Sequence, residues 1–114
     1  MTAETDAERL DRTGLTSVAM TDDESSKVQK TPNRVTLDSI LAKITDEQFW
    51  NPIILPTMTI VAMKLENGYV VVGKSTPADP ANYDEALGKQ FAREDAIRQI
   101  WQLEAYLLRE RMSV

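Results

Sequence analysis

Two charges stand among aromatic residues near the C-terminus. Glu94 and Arg98 lie four apart between Phe91 and Trp101, with Tyr83 two turns earlier. An arginine beside such rings can meet a phosphate or a planar ligand, while the rings stack on a base. At the same spacing, a Glu–Arg pair on a surface edge contributes only a few tenths of a kcal/mol. Both readings fit the pattern. Arg93 adds a further cation. Lys74 and Ser75 close a β-rich run, and Asn82 and Tyr83 open the helix that follows. The free N–H groups of a helix start attract anions, but Asp84 and Glu85 already occupy that dipole, which favours a plain capping role for Asn82. The candidate ligand-binding residues are therefore Lys74, Ser75, Asn82, Tyr83, Phe91, Arg93, Glu94, Arg98 and Trp101.

Other chemistry is excluded by composition. The 114 residues contain neither histidine nor cysteine, which removes disulfides, Cys/His zinc sites and His-based nucleophile activation. Asp84, Glu85 and Glu94 could serve as acid and base, yet no nucleophile or metal set accompanies them. The expectation is a protein that binds rather than catalyses and needs no cofactor. The net charge of −5 argues against binding duplex nucleic acid, which depends on Lys and Arg neutralising phosphates. No apolar stretch approaches the roughly 20 residues that span a bilayer, and no signal-peptide pattern opens the chain. A soluble, cytoplasmic protein is expected.

The elements that must position these residues follow from periodicity. Residues 1–33 are rich in Thr, Ser, Asp and Glu and hold no aromatic residue. Such a stretch reads as an acidic, disordered tail with at most a turn of helix around Ala7–Leu10. The domain then spans residues 34–112. Thr36 is a helix cap, and Leu37, Ile40, Leu41 and Ile44 mark an amphipathic helix. Thr45 and Gln48 form a second capping box, so this helix either restarts there or runs on to Trp50. The runs TMTIVAMKLE and YVVVGKST flank Asn67-Gly68, a hairpin signal for a two-residue turn. That turn places Leu65 opposite Val70 and Met63 opposite Val72. Val61, Met63, Leu65, Val70 and Val72 then face the core, and Met58, Ile60, Ala62, Val71 and Gly73 face away. Gly73 itself signals a bulge or the close approach of another backbone or ligand, and Gly88 signals tight packing.

From Asn82, with Glu85 completing a capping box, a long helix is predicted to start at Tyr83. Its apolar residues split into two stripes. Tyr83, Leu87, Phe91, Ile97, Trp101 and Leu108 make the bulky one, suited to the sheet. Ala92, Ala96, Ile100, Leu103 and Leu107 make the other, suited to the first helix or to another subunit. The fold class is α+β: short helix, β-hairpin and long C-terminal helix, completed by homo-oligomerisation because so small a core is marginal alone.

The run from Asn67 to Met112 resembles a family of small accessory proteins of tailed phages and prophages, known from coliphage and Shigella-phage members. Its carriers are Asn67-Gly68-Tyr69, Gly73 with Ser75, Pro80 with Asn82-Tyr83-Asp84, and the helix pattern Gly88, Ala92, Ala96, Ile100-Trp101, Tyr106 and Leu108. The resemblance extends from about Val35. Thr76 and Pro77 replace small residues, Asp95 replaces Asn, Gln102 replaces Pro and Ala105 replaces Gly. The loss of that proline leaves open whether the helix breaks after Trp101.

The resemblance implies a phage accessory protein acting in the host cytoplasm. A looser likeness in general build is to phage anti-defence "sponges", oligomers that sequester cyclic nucleotide or cyclic ADP-ribose signals of host systems such as Thoeris and CBASS. In that reading Tyr83, Phe91 or Trp101 stacks on a base, and Lys74, Arg93 or Arg98 meets phosphates of a small anionic nucleotide. The alternative is a protein–protein inhibitor or adaptor acting on a host factor through the acidic tail or the second apolar stripe.

Overall fold

The computed structural model describes residues 14–114. In chain order the elements are helix α1 (Ser17–Lys27), helix α2 (Leu37–Leu41), strands β1 (Ile44–Trp50), β2 (Thr59–Leu65) and β3 (Val70–Ser75), a 3-10 turn at Pro80–Asn82, and helix α3 (Glu85–Met112). The strands form one antiparallel sheet in the order β1-β2-β3. The architecture is α+β as expected, enlarged by a strand and a helix.

The new strand replaces the predicted helical continuation. Thr36 does cap α2, its side chain accepting from the Ser39 N–H at 3.1 Å. The helix nevertheless ends at Leu41, and Ile44–Trp50 pairs with β2 through a bulge between Ile44 and Asp46. Thr45 donates its hydroxyl to the Lys64 carbonyl instead of capping a helix. Ile44, Thr45, Phe49 and Trp50 are β-formers, and a strand partner was available. Tertiary pairing outweighs a local capping signal.

The hairpin slips by one residue from its predicted register. Lys64 pairs with Val70, Met63 with Val71 and Val61 with Gly73. Leu65 N–H donates to the Tyr69 carbonyl at 2.8 Å, which closes a three-residue loop over Glu66, Asn67 and Gly68. Gly68 has φ of +91° while Asn67 does not have a positive φ. A type I′ turn needs positive φ at both central residues, so it is not formed here. Because strand side chains alternate, one residue of slip turns all of β3 over. Val71 and Gly73 face the core, and Val70 and Val72 lie on the open side.

That reversal decides how α3 sits. A Cβ on Gly73 would overlap the Ala92 carbonyl and come within 2.7 Å of the Ala96 nitrogen. Helix and strand backbones therefore meet directly, and only glycine fits between them. Gly88 likewise lies against the side chain of Thr59. The small stripe Ala92, Ala96 and Ile100, expected to face another helix or subunit, is the one buried on the sheet together with Ile97. Leu87 and Phe91 of the bulky stripe are half exposed instead, as are Leu103 and Leu107 at the end of the small one. The helix is capped by Asp84, which accepts from the Leu87 N–H at 2.9 Å. It does not start at Tyr83 under Asn82, because Pro80–Asn82 are wound into the 3-10 turn. The helix runs unbroken past Trp101 through Gln102 and Ala105 to Met112.

Residues 14–28 also depart from expectation. Leu15, Val18 and Ala19 join the core with Leu37, Ile40 and Ile100. Part of the stretch read as a disordered tail thus packs into the domain, and residues 17–27 are helical. The predicted turn around Ala7–Leu10 lies outside the described residues. Among the described residues, no helix is long and apolar enough to cross a membrane.

Candidate functional site

The end of β3, the loop after it and the first turns of α3 enclose a groove of about 180 Å³. Ser75, Asn82 and Phe91, three of the predicted ligand residues, line it together. Thr76, Pro77, Asp84, Leu87 and Gly88 complete the walls. Sequence reasoning did not assign these five to the site. The Asn82/Glu85 capping pattern marked the neighbourhood of the helix start, which the structure places at Glu85 under Asp84, but not which way its first turn points.

Each wall has a local cause. Asp79 accepts from the Ala81 N–H at 2.9 Å and starts the 3-10 turn, which swings the chain from β3 to α3. At Gly88 the space a Cβ would take is filled by the Thr59 side chain. The buried Thr59 hydroxyl there has no hydrogen-bond partner. Phe91 stands at the mouth with about half its surface open. The groove thus combines an aromatic face with hydroxyl, amide and carboxylate groups. Such a mixture suits a flat polar molecule with an edge of donors and acceptors.

The remaining predicted residues lie elsewhere. Lys74 extends from the open face of β3, its backbone N–H donating to Asp95 at 2.9 Å. Tyr83 is half buried, and its hydroxyl accepts from the Asn51 side chain at 3.3 Å. Arg93 pairs with Glu47 on β1 at 3.0 Å. Trp101 packs on the core near Arg34, Val35 and Leu108.

Glu94 and Arg98 have a different partner from either reading of the sequence. Glu94 is almost fully buried and accepts from the Ser17 N–H at 2.7 Å and the Val18 N–H at 3.1 Å. The Ser17 hydroxyl donates to the same carboxylate oxygen, and Arg98 donates to that hydroxyl. Thr16, at the capping position of α1, forms no side-chain cap. A carboxylate from a distant helix satisfies the first N–H groups of α1, where negative charge complements the dipole. Asp22 of α1 passes the device on, accepting from the Leu37 N–H at 3.1 Å and from Arg34 at 2.7 Å.

A second concavity, of about 440 Å³, runs between the outer edge of β3 and the C-terminal half of α3. Its walls include Tyr69, Val70, Val72, Leu103 and Tyr106, with Gln99 and Gln102. Gln99 donates to the Val72 carbonyl at 2.8 Å and so covers part of the strand edge.

Comparison with known proteins supports the resemblance noted in the sequence. Curated proteins and solved structures return no match. The family model described as Phage protein (N4 Gp49/phage Sf6 gene 66) family matches residues 35–112, from just before α2 to the last residue of α3. That span holds the whole sheet, both concavities and the Gly73–Ala92–Ala96 contact. The chain belongs to this phage protein family.

Proposed function

We propose that the chain is a phage-encoded, non-enzymatic binding protein that sequesters a small nucleotide signal of the host, of the cyclic dinucleotide or cyclic ADP-ribose kind. The observation that supports this reading is the half-open Phe91 ring beside Ser75, Thr76 and Asn82 in one groove. A base stacked on an aromatic ring gains roughly 1–3 kcal/mol. One oxygen of Asp84 is engaged by the Leu87 N–H, and the other can accept from an exocyclic amino group of the base. The same carboxylate repels phosphate, so the phosphates of the ligand point away from it, out over the surface beside the groove. Arg93 and Arg98 are engaged by Glu47 and Ser17 and have no phosphate-binding role in this reading. The groove is smaller than the roughly 300 Å³ at which drug-sized pockets begin. It takes a base alone, and the rest of the ligand lies over the surface.

Calorimetry of the purified protein against cyclic dinucleotides and cyclic ADP-ribose isomers tests the proposal. Saturable binding at micromolar ligand is expected, weakened at least about tenfold by Phe91→Ala, equivalent to about 1.4 kcal/mol. The reading fails if none of these ligands binds, or if Phe91→Ala binds like the parent.

A further inference from the structure

We propose that the last turns of α3 and the α1–α2 connection form a docking groove for an acidic, apolar segment of a partner protein. The groove encloses about 320 Å³ and lies at the opposite end of α3 from Phe91. The inference is therefore independent of what the Phe91 groove binds.

One wall is a stripe of α3. Trp101, Ala105, Leu108 and Met112 follow at steps of four, three and four, which puts them on one helix face. Trp101 and Leu108 are half-buried, and Ala105 is exposed between them. A methyl group between two large side chains leaves a notch that can take an anchor side chain. Met112, at the exposed end of the stripe, is flexible and can adapt to the incoming group.

The facing wall comes from Ser25 at the end of α1 and from Asn33, Arg34 and Val35. It is fixed before any partner arrives. Arg34 donates to the Asp22 carboxylate at 2.7 Å and, through Nε, to the Gln29 side chain at 2.7 Å. A wall held in this way loses little freedom on binding. Ser25, Asn33 and Arg34 precede the span that the family model matches, so this groove depends on a segment outside the family's common core.

Composition marks the surface as one that meets protein. The centres of protein interfaces are enriched in aromatic residues, Met and Arg and depleted of Lys, Asp and Glu. This groove has Trp101, Met112, Arg34 and Arg109 in its lining, with no Lys, Asp or Glu.

Charge chooses the partner. The chain carries a net charge of −5, yet both charged residues lining the groove are arginines. Arg34 is matched by Asp22. Arg109 has no ion-pair partner among the described residues. An acidic segment is repelled by the rest of the surface and accepted at Arg109, which orients it on the groove. The partial negative charge at the end of α3 weakens the hold on a free anion. A segment that also fills the notch at Ala105 gains apolar burial that a free anion lacks. The occupant is thus a stretch of protein presenting Asp or Glu beside a large apolar anchor.

Selection of a displayed library of random linear peptides on the immobilised full chain tests the proposal. Enriched peptides are expected to carry Asp or Glu next to a large apolar residue. Arg109→Glu is expected to weaken them at least about tenfold, equivalent to about 1.4 kcal/mol. Ala105→Trp, which fills the notch, is expected to weaken them as much. Both positions are exposed, so both variants should keep the parent's far-UV circular dichroism. Arg111→Glu makes the same change of charge in the same helix turn but does not line the groove, and is expected to bind like the parent. The proposal is overturned by a failure to enrich any peptide, by a basic consensus, or by peptides that bind Arg109→Glu and Ala105→Trp like the parent. Equal weakening by Arg111→Glu also overturns it, since that marks general charge attraction. So does self-association of the chain that Ala105→Trp abolishes, which makes a second copy the occupant.

Discussion

Helix α3 carries two contrasting stretches. Its middle, from Ala92 to Ile100, buries Ala92, Glu94, Ala96, Ile97 and Ile100 against the sheet and α1, with Arg98 and Gln99 on the solvent side. Its end, from Leu103 to Leu107, has as many large apolar residues and is left open. In the middle a buried charge is permitted because every group around it is matched: Ser17 and Val18 donate, and Arg98 compensates. At the end, Leu103, Tyr106 and Leu107 are exposed on one side, while Glu104 on the other is buried and pairs with Lys43 at 2.9 Å. Apolar content therefore does not tell closed surface from open surface. What separates the two is whether the chain supplies small residues and caps that let another element come close.

The sharpest way to break the closed region is to remove what covers it. Deleting residues 1–28 strips Leu15, Val18 and Ala19 from the core and leaves Glu94 without its Ser17 and Val18 partners. At about 1.5–3 kcal/mol for each large buried side chain, roughly 5 kcal/mol of stability should be lost. Urea denaturation should show a chain that no longer unfolds cooperatively. The same deletion cannot be used to test a separate tail function, because α1 belongs to the core. Next comes Gly73→Ala, where the added Cβ would overlap the backbone at Ala92 and Ala96. Overpacking against a backbone that must shift costs about 3 kcal/mol, read as a lowered urea midpoint. Glu94→Ala should cost about 2 kcal/mol by leaving the buried Val18 N–H and the half-buried Ser17 N–H without their acceptor. If Glu94→Ala melts with the parent, the capping role assigned to this carboxylate is wrong.

How much of this was legible beforehand depends on the range over which each signal acts. The α+β class, the hairpin, the α2 start at Leu37 and the tight packing at Gly73 and Gly88 were readable, because each rests on local chemistry. The register of β3 was not. Asn67-Gly68 fits both a two-residue and a three-residue turn, and only the φ of Asn67 separates them. From that single residue followed the wrong core face of β3 and the wrong stripe of α3. Helix α1 was unreadable for another reason. Its first turn is capped by Glu94, 77 residues away in sequence from Ser17, and its own composition resembles a solvated arm. The candidate groove was half legible: Ser75, Asn82 and Phe91 were named, while Arg93, Glu94 and Arg98 were drawn in by helical spacing and belong to the anchoring of β1 and α1.

The outer edge of β3, which faces the helix middle, can be probed at Asp95, where the expected effect is smallest. Its carboxylate accepts the outward N–H of Lys74 and covers one end of the β3 edge. Uncovered edges invite pairing with other chains, and inward-reaching side chains are a common remedy. Asp95→Asn keeps a carbonyl oxygen in the same place, so its stability should stay within about 0.5 kcal/mol of the parent. Asp95→Ala removes the acceptor and should cost about 1 kcal/mol. It should also raise non-specific association, seen as light scattering that grows with concentration. The pair of variants separates hydrogen bonding from charge. If Asn restores what Ala loses, an acceptor is enough to close this edge. If both variants associate, the negative charge of Asp95 is what keeps other strands away.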